Sequence, residues 1–411
     1  MKRPHILIFN PDQWRGDVVG HLGNPAAKTP NLDRLAATNA VSFRWAFCQS
    51  PLCTASRCSF MTGWYPHVRG HRTLYHMLRP RQGDPVLLKT LKDHGYFVWW
   101  GGKNDLVPAQ HGFDDYCDVK FQPPTQPDLR FNPDWRGQPG GDNYYSFHYG
   151  RLDKGNANVY RDSDWGNVMG AIEFIRNAPP DRPLCIYLPL NYPHPVYAVE
   201  EPYYSSIDRA RLPPRIPAPQ GWEGKPRMLR GIHDRQNLKA WTEARWSELR
   251  ATYYGMCARV DDQLGRVIKA LQEAGRYDDT AVFFFADHGD FTGDYGLVEK
   301  ASNTFEDCLT RVPFLIKPPK SFPVEPRISD AMVELIDFPA TVFSLAGIEP
   351  AHTQFGRSLL PVLAGKTDEH RDAVFCEGGR LHGETHCMKQ ESTPPHDPHR
   401  PLLAKGRAAG R

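Results

Sequence analysis

The absences in this 411-residue sequence narrow its class first. No apolar stretch is long enough to cross a membrane: the longest runs, such as Ala281–Ala286 (AVFFFA), are strand-sized, far short of the roughly 20 residues a membrane helix needs. Nor is a targeting signal visible, since MKRP runs straight into HILIFN without an apolar region and a small-residue cleavage site. An excess of one charge is missing too: 50 basic against 47 acidic residues leave +3, too balanced for a nucleic-acid or membrane-binding surface. That excess sits in residues 394–411, where Arg400, Lys405, Arg407 and Arg411 face only Asp397, so the body is neutral. The nine cysteines include no CxxC pair and no His spacing that would build a zinc site. The expectation is a cytoplasmic, reducing home in which most cysteines are small buried apolar residues. Internal repeats are absent.

Forty per cent hydrophobic and 12% aromatic residues suffice for a large core. Short apolar runs recur at HILIFN (5–10), YFVWWGG (96–102), PLCIYLPL (183–190), AVFFFADHG (281–289) and RVPFLIK (311–317), and continuous runs of this length predict strands buried on both faces. Between them lie helical patterns. Trp246, Leu249, Tyr253, Met256, Val260, Leu264, Val267 and Leu271 recur every three or four residues, predicting a helix over 243–274 that Gly275 closes. Residues 31–39 and 85–94 read as two more, the second entering through Asp84 and Pro85 at the cap and first turn. Alternating strands and helices predict an open α/β sheet, mostly parallel and flanked by helices. The stretches 105–165 and 191–235 read as long excursions above that sheet, rich in Pro, Gly, Asp, Tyr and Trp.

Polar residues of a particular kind follow four of the apolar runs: Asn10, Asp12 and Gln13; Lys103; His194; Asp287 and His288. Ligands of open α/β sheets bind at the carboxyl ends of the strands, so these residues converge if the strands are parallel neighbours. Two carboxylates, an amide and an imidazole suit a divalent cation, and the oxygen majority favours calcium, magnesium or manganese over zinc. Lys103 and Lys300 would face the anion that the metal holds. Taken singly, an Asp after a strand is more often a helix cap or turn residue, a histidine in a turn such as YPHP a loop residue and a lysine a solvated one, and only the shared placement at strand ends raises the functional reading.

Residues 51–63 read Pro-Leu-Cys-Thr-Ala-Ser-Arg-Cys-Ser-Phe-Met-Thr-Gly, and this resembles the signature of the type I, formylglycine-dependent sulfatases of the alkaline-phosphatase-like superfamily. Ala55 departs from it, standing where that family usually has proline. ILIFNPDQWRGD, TPNLDRLA, the GK of GGKNDL, the PHP of NYPHP, ADHGD and Lys300 follow in the family's order, so the resemblance covers roughly residues 4–365. It implies sulfate ester hydrolysis by a formylglycine made from Cys53 by a maturase. It also implies a cation, calcium before magnesium or manganese, on Asp12, Gln13, Asp287, His288 and modified Cys53. Arg57, Lys103, His194 and Lys300 match the anion-binding and leaving-group residues, and His71, in HVRGHR, is a further candidate for the substrate pocket. Gln13 stands where many sulfatases have a second Asp, and Asp-Gln at the first strand with Asp287-His288 at the later one is a pattern similar to the branch of arylsulfatases, choline sulfatases and phosphonate monoester hydrolases, while Asp105 departs from the family in standing where a His is usual. The alternatives are a phosphonate monoester or phosphodiester hydrolase using the same site, or a non-catalytic relative whose Cys53 stays unmodified.

The resemblance further implies a catalytic domain over 1–365 followed by a smaller α+β subdomain. Here that subdomain is expected to be shortened to 366–393, with AVFCEGG (373–379) as its last strand-like piece and 394–411 a disordered basic tail. The expected substrate is a small-molecule or saccharide sulfate ester, with no nucleic-acid or membrane partner.

Overall fold

In the computed structural model, which describes residues 3–74, 76–124, 131, 132, 134–153 and 162–379, all five apolar runs become strands of one eight-stranded sheet. In spatial order these are β10 (Arg327–Glu334), β2 (Val41–Phe47), β9 (Phe314–Lys317), β8 (Thr280–Phe285), β1 (His5–Asn10), β6 (Leu184–Pro189), β3 (Phe97–Gly101) and β4 (Val119–Phe121). β9 alone runs against its neighbours. The other pairings are parallel, and Ile8 in the centre faces Tyr187 on one side and Phe283 on the other. β5 (His148–Arg151) and β7 (Tyr197–Val199) form a separate two-stranded ladder in the excursions.

The centre is hydrophobic on both faces because helices cover both. Trp99 and Trp100 are buried there, Trp99 against Phe121 and Phe174 at 5.3 and 5.9 Å, so they serve the core and not a substrate. Among the described residues eight cysteines are unpaired and seven of these are buried, and no helix is long and apolar enough to cross a membrane.

The helix Glu243–Glu273 follows its predicted period, closing at Gly275 with φ 66°. Its first turn is capped by Thr242, whose side chain accepts from the Arg245 N–H at 3.3 Å. Thr242→Ala is expected to cost about 1 kcal/mol, read as a lower urea midpoint at unchanged slope. Three expectations are corrected. Asp84 caps no helix: its carboxylate takes the Arg79 N–H at 2.7 Å, His71 at 3.0 Å and Arg69 at 3.2 Å, so the helix begins later, at Leu87–Asp93, with Val86 in the cap position. β2, β4 and β10 arise where no strand was expected, β4 within the 105–165 stretch read as an excursion above the sheet and pairing instead as its edge strand beside β3. AVFCEGG joins no sheet, since the Phe375 N–H goes to the Glu334 carboxylate at 2.7 Å and the Glu377 N–H to the lone Gln49 carbonyl at 2.8 Å. Nearby, Arg371 bridges Glu334 and Asp337 and holds this segment against the sheet domain. The basic stretch 394–411 lies outside the described residues.

Candidate active site

Four adjacent parallel strands, β8, β1, β6 and β3, end at one edge of the sheet, and that edge collects the polar residues expected there. Asp12 and Gln13 follow β1, Asp287 and His288 follow β8, Lys103 follows β3 and His194 lies in the turn after β6. Cys53 comes from a different direction, as the first residue of the helix Cys53–Thr62. Its Sγ lies 3.2 Å from His288 Nε2 and 3.5 Å from Asp12 Oδ1. One ligand atom from each of Asp12, Cys53, Asp287 and His288 falls within 4.8 Å of all the others, and all four residues are buried.

Arg57 is one turn along the same helix and wholly buried beneath the cluster. Its Nε donates to Asp287 at 2.9 Å, one terminal nitrogen to Asp12 at 3.2 Å, and the other to Asn10 at 2.9 Å and the Tyr187 hydroxyl at 3.3 Å. The planar guanidinium therefore spans two carboxylates that would otherwise repel. Asp287 is fixed further by the N–H groups of Gln13 and His288, at 3.0 and 2.9 Å. Lys103 Nζ bonds Asp12 at 2.5 Å and Asp105 at 2.9 Å. Gly102, at φ 106°, lets β3 approach closely enough for the Lys103 N–H to reach the Pro189 carbonyl at 3.0 Å.

On the far side of the cluster, Lys300 Nζ touches Gln13 Oε1 at 3.0 Å, His194 Nε2 at 2.8 Å and Glu299 at 2.5 Å. His194 Nδ1 lies 2.6 Å from the Pro195 carbonyl, which can only accept, so Nδ1 carries the proton and Nε2 accepts from the Lys300 ammonium. Burial, and then the Lys300 charge, hold the His194 imidazole well below its usual range, so it is neutral. Burial alone would raise the Asp12 carboxyl, but the charges of Lys103 and then Arg57 outweigh it and hold Asp12 well below the ordinary range. The Cys53 thiol is pushed strongly upward by burial and by the Asp12 charge, so as an unmodified thiol it is a poor nucleophile.

His71 is not brought to this cluster. It is buried between the Asp84 carboxylate and the His76 carbonyl, both at 3.0 Å, in the network that replaced the expected cap. Gln13 has φ 68°, and its amide faces Lys300 through oxygen and Asp290 through nitrogen, at 2.5 Å. Asp290 was missed as a site residue although it stands in ADHGD. Buried, it also takes the single Tyr197 hydroxyl proton between its two oxygens, each at 2.8 Å, and because its oxygens accept, the amide nitrogen of Gln13 is the end that faces it.

The donor set fits a divalent cation. Among the ion-paired groups, three cations, Arg57, Lys103 and Lys300, against four carboxylates, Asp12, Asp287, Asp105 and Glu299, leave one net negative charge. A doubly charged ion among oxygen-rich ligands reverses that sign.

The sulfatase family model matches residues 4–348. The multifunctional alkaline phosphatase superfamily protein PehA of Trinickia caryophylli is 26% identical over 92% of this chain and 80% of its own. An arylsulfatase of Clostridium perfringens is 26% identical over 91% of this chain and 81% of its own. Among solved structures, the phosphonate monoester hydrolase of Agrobacterium radiobacter has the same fold, with a TM-score of 0.71 at 23% identity over 88% of this chain and 77% of that one. A match of this extent, on an alkaline-phosphatase-like sheet with the signature segment at its carboxyl edge, makes the chain a member of the sulfatase family.

Proposed function

We propose that the protein hydrolyses sulfate esters, with Cys53 converted by a maturase to formylglycine and a divalent cation, calcium before magnesium or manganese, held by Asp12, Gln13, Asp287, His288 and the modified residue. The observation that carries this reading is the position of Cys53. It opens a helix, so partial positive charge faces the pocket, and its Sγ, standing in for the oxygens of a hydrated aldehyde, is at bonding distance from two of the ligands. Gln13 retains a second carbonyl lone pair beside the one that Lys300 uses.

The cation, when bound, supplies neutralisation of the ester oxygens that face it. A formylglycine hydrate supplies two hydroxyls on one carbon, one to attack sulfur and one whose deprotonation expels sulfate. The other work falls to the chain's own residues. Lys103 and Lys300 place positive charge on the sulfuryl oxygens beside buried and half-buried acids, where water screens such charges less than at the surface. Arg57 acts through Asp12 and Asp287, since two of its three nitrogens are engaged there and the third on Asn10 and Tyr187. Lys300 and His194 share a proton along the Nζ to Nε2 line, and this pair delivers it to the departing alcohol or phenol oxygen.

A second reading, phosphonate monoester or phosphodiester hydrolysis, is favoured by the likeness to a solved phosphonate monoester hydrolase of Silicibacter pomeroyi, 25% identical to this chain, and these esters are tetrahedral monoanions like a sulfate ester. Turnover of 4-nitrophenyl sulfate measured against phenyl phosphonate esters separates the two. Sulfate is expected to have the higher kcat/KM, and the reverse order would select the second reading. Mass spectrometry of the Cys53 peptide is expected to show a lighter residue, the aldehyde replacing the thiol. Unmodified cysteine in protein purified from its own cell would favour a non-catalytic relative, a question that Ala55 raises within the maturation signature.

A further inference from the structure

The turn that carries His194 is gripped by a second buried charge network that contains none of the site residues. Asp164, in the first turn of the helix Ser163–Asn177, is 1% exposed. Its two oxygens accept the Asn191 N–H, both at 3.0 Å, the Asn191 amide nitrogen at 2.9 Å and the Tyr192 N–H at 2.8 Å. The turn is then closed by the His194 N–H on the Asn191 carbonyl at 2.9 Å, so the backbone held by Asp164 is the backbone from which His194 projects. Arg259, fully buried on the helix Glu243–Glu273, holds the same segment from the other side. Its guanidinium lies 4.0 Å over the Tyr192 ring, and it pairs with Asp162 at 2.5 Å and with Glu200, just past β7, at 3.0 Å. Both ends of the 191–200 loop are thus tied to one cation, and Trp165 completes the knot by donating to Glu200 at 3.0 Å.

This network has a cost to explain. Three acids, Asp162, Asp164 and Glu200, are buried around one arginine, which is expensive as a stabilising device. Well-packed apolar residues would hold two helices together as well. What a carboxylate can do and a leucine cannot is capture consecutive backbone N–H groups and so fix the direction of the next side chains. We infer that Asp164 and Arg259 are positioning residues that aim His194 Nε2 at Lys300, so that the shared proton lies on the path to the leaving oxygen. The inference rests on the proposed role of the His194 and Lys300 pair.

The test is the dependence of rate on the leaving group. A group that assists protonation matters little when the departing phenol is a good leaving group and much when it is poor. Asp164→Asn replaces one acceptor oxygen by a donor facing N–H groups. It is expected to lower kcat/KM for 4-nitrophenyl sulfate less than about 3-fold, and for sulfate esters of weakly acidic phenols or alcohols more than about 10-fold. His194→Ala is measured in parallel. If that variant does not steepen the leaving-group dependence, the role assigned to His194 fails. If it does while Asp164→Asn shows equal losses on all substrates, or none, the positioning inference is overturned. Should Asp164→Asn fold poorly, Asn191→Ala decides, because it removes only side-chain bonds to Asp164 and Ser163. It is expected to steepen the same dependence by a smaller factor, and an unchanged slope there overturns the inference as well.

Discussion

Cys53→Ala is expected to reduce sulfatase turnover on the order of 10⁵-fold or more, while thermal unfolding shifts by no more than about 3 °C. The two halves of this result have separate causes. The side chain is small, and Arg57, Lys103, Asp12 and Asp287 keep every mutual contact without it, so the fold loses only van der Waals contacts and the weak thiol contacts to Asp12 and His288. The chemistry loses its nucleophile, which nothing nearby replaces, because Ser56 spends its hydroxyl on the Asp287 carbonyl at 2.6 Å. Cys53→Ser sharpens the experiment. A serine hydroxyl can attack sulfur once, but it offers no second hydroxyl on the same carbon to expel sulfate. With 4-nitrophenyl sulfate the Ser variant, once mass spectrometry shows its serine intact, is expected to release up to one equivalent of phenol in a burst and then stop. Undiminished steady-state turnover in the Ala variant would remove Cys53 from the mechanism.

The site was legible in the sequence further than the fold around it, for a physical reason. Strand ends in a parallel sheet are marked by continuous apolar runs, and β1, β3, β6 and β8 are such runs, so the runs alone place Asp12, Lys103, His194 and Asp287 at one edge. β2 escaped because Ser42, Arg44 and an exposed Trp45 interrupt its hydrophobicity, and Arg44 faces outward to Asp330 at 2.7 Å. β10 reads RISDAMVE and hides its pattern behind a register shift between Ser329 and Met332. Asp84 was misjudged for the opposite reason. Its local context is that of a cap, but His71 and Arg69, more than ten residues away, offer it stronger partners. The residues that position the site, Asp164, Arg259 and Asp290, left no mark in spacing, since their partners are fixed only when distant segments meet. A carboxylate that holds N–H groups across 27 residues has the same sequence signature as one in water.

Arg57→Met carries the second large effect, and the cation decides its size. In the metal-free protein Arg57 is the shared counter-ion of two carboxylates that are fully buried, and removing one partner of such a group costs about 3–5 kcal/mol. Lys103 remains on Asp12, whereas Asp287 keeps only backbone N–H groups and the His288 ring nearby. A divalent ion between the two acids supplies part of the missing charge, and it binds the native state alone. Unfolding in chelator is therefore expected to show the full deficit, and millimolar calcium to recover part of it, raising the variant's midpoint more than that of the parent. The pH dependence follows from the direction of the Asp12 shift. With its carboxyl held well below the ordinary range, the parent gains stability from Asp12 that is present above the unfolded value and lost as pH falls toward the folded one. Without Arg57 the carboxyl moves back up toward its ordinary range, although Lys103 still holds it, so the variant gains less stability from Asp12 as pH rises. The difference between parent and variant is accordingly expected to widen in chelator as pH rises from the acid range, where Asp12 takes up its proton, to neutrality. Turnover falls on the order of 10³-fold even with calcium present, because the ligands lose their alignment. An Arg57→Met protein whose deficit is the same with chelator and with calcium, and the same at acid and at neutral pH, would show that Asp12 and Asp287 do not share a cation, and the metal assignment would fall with it.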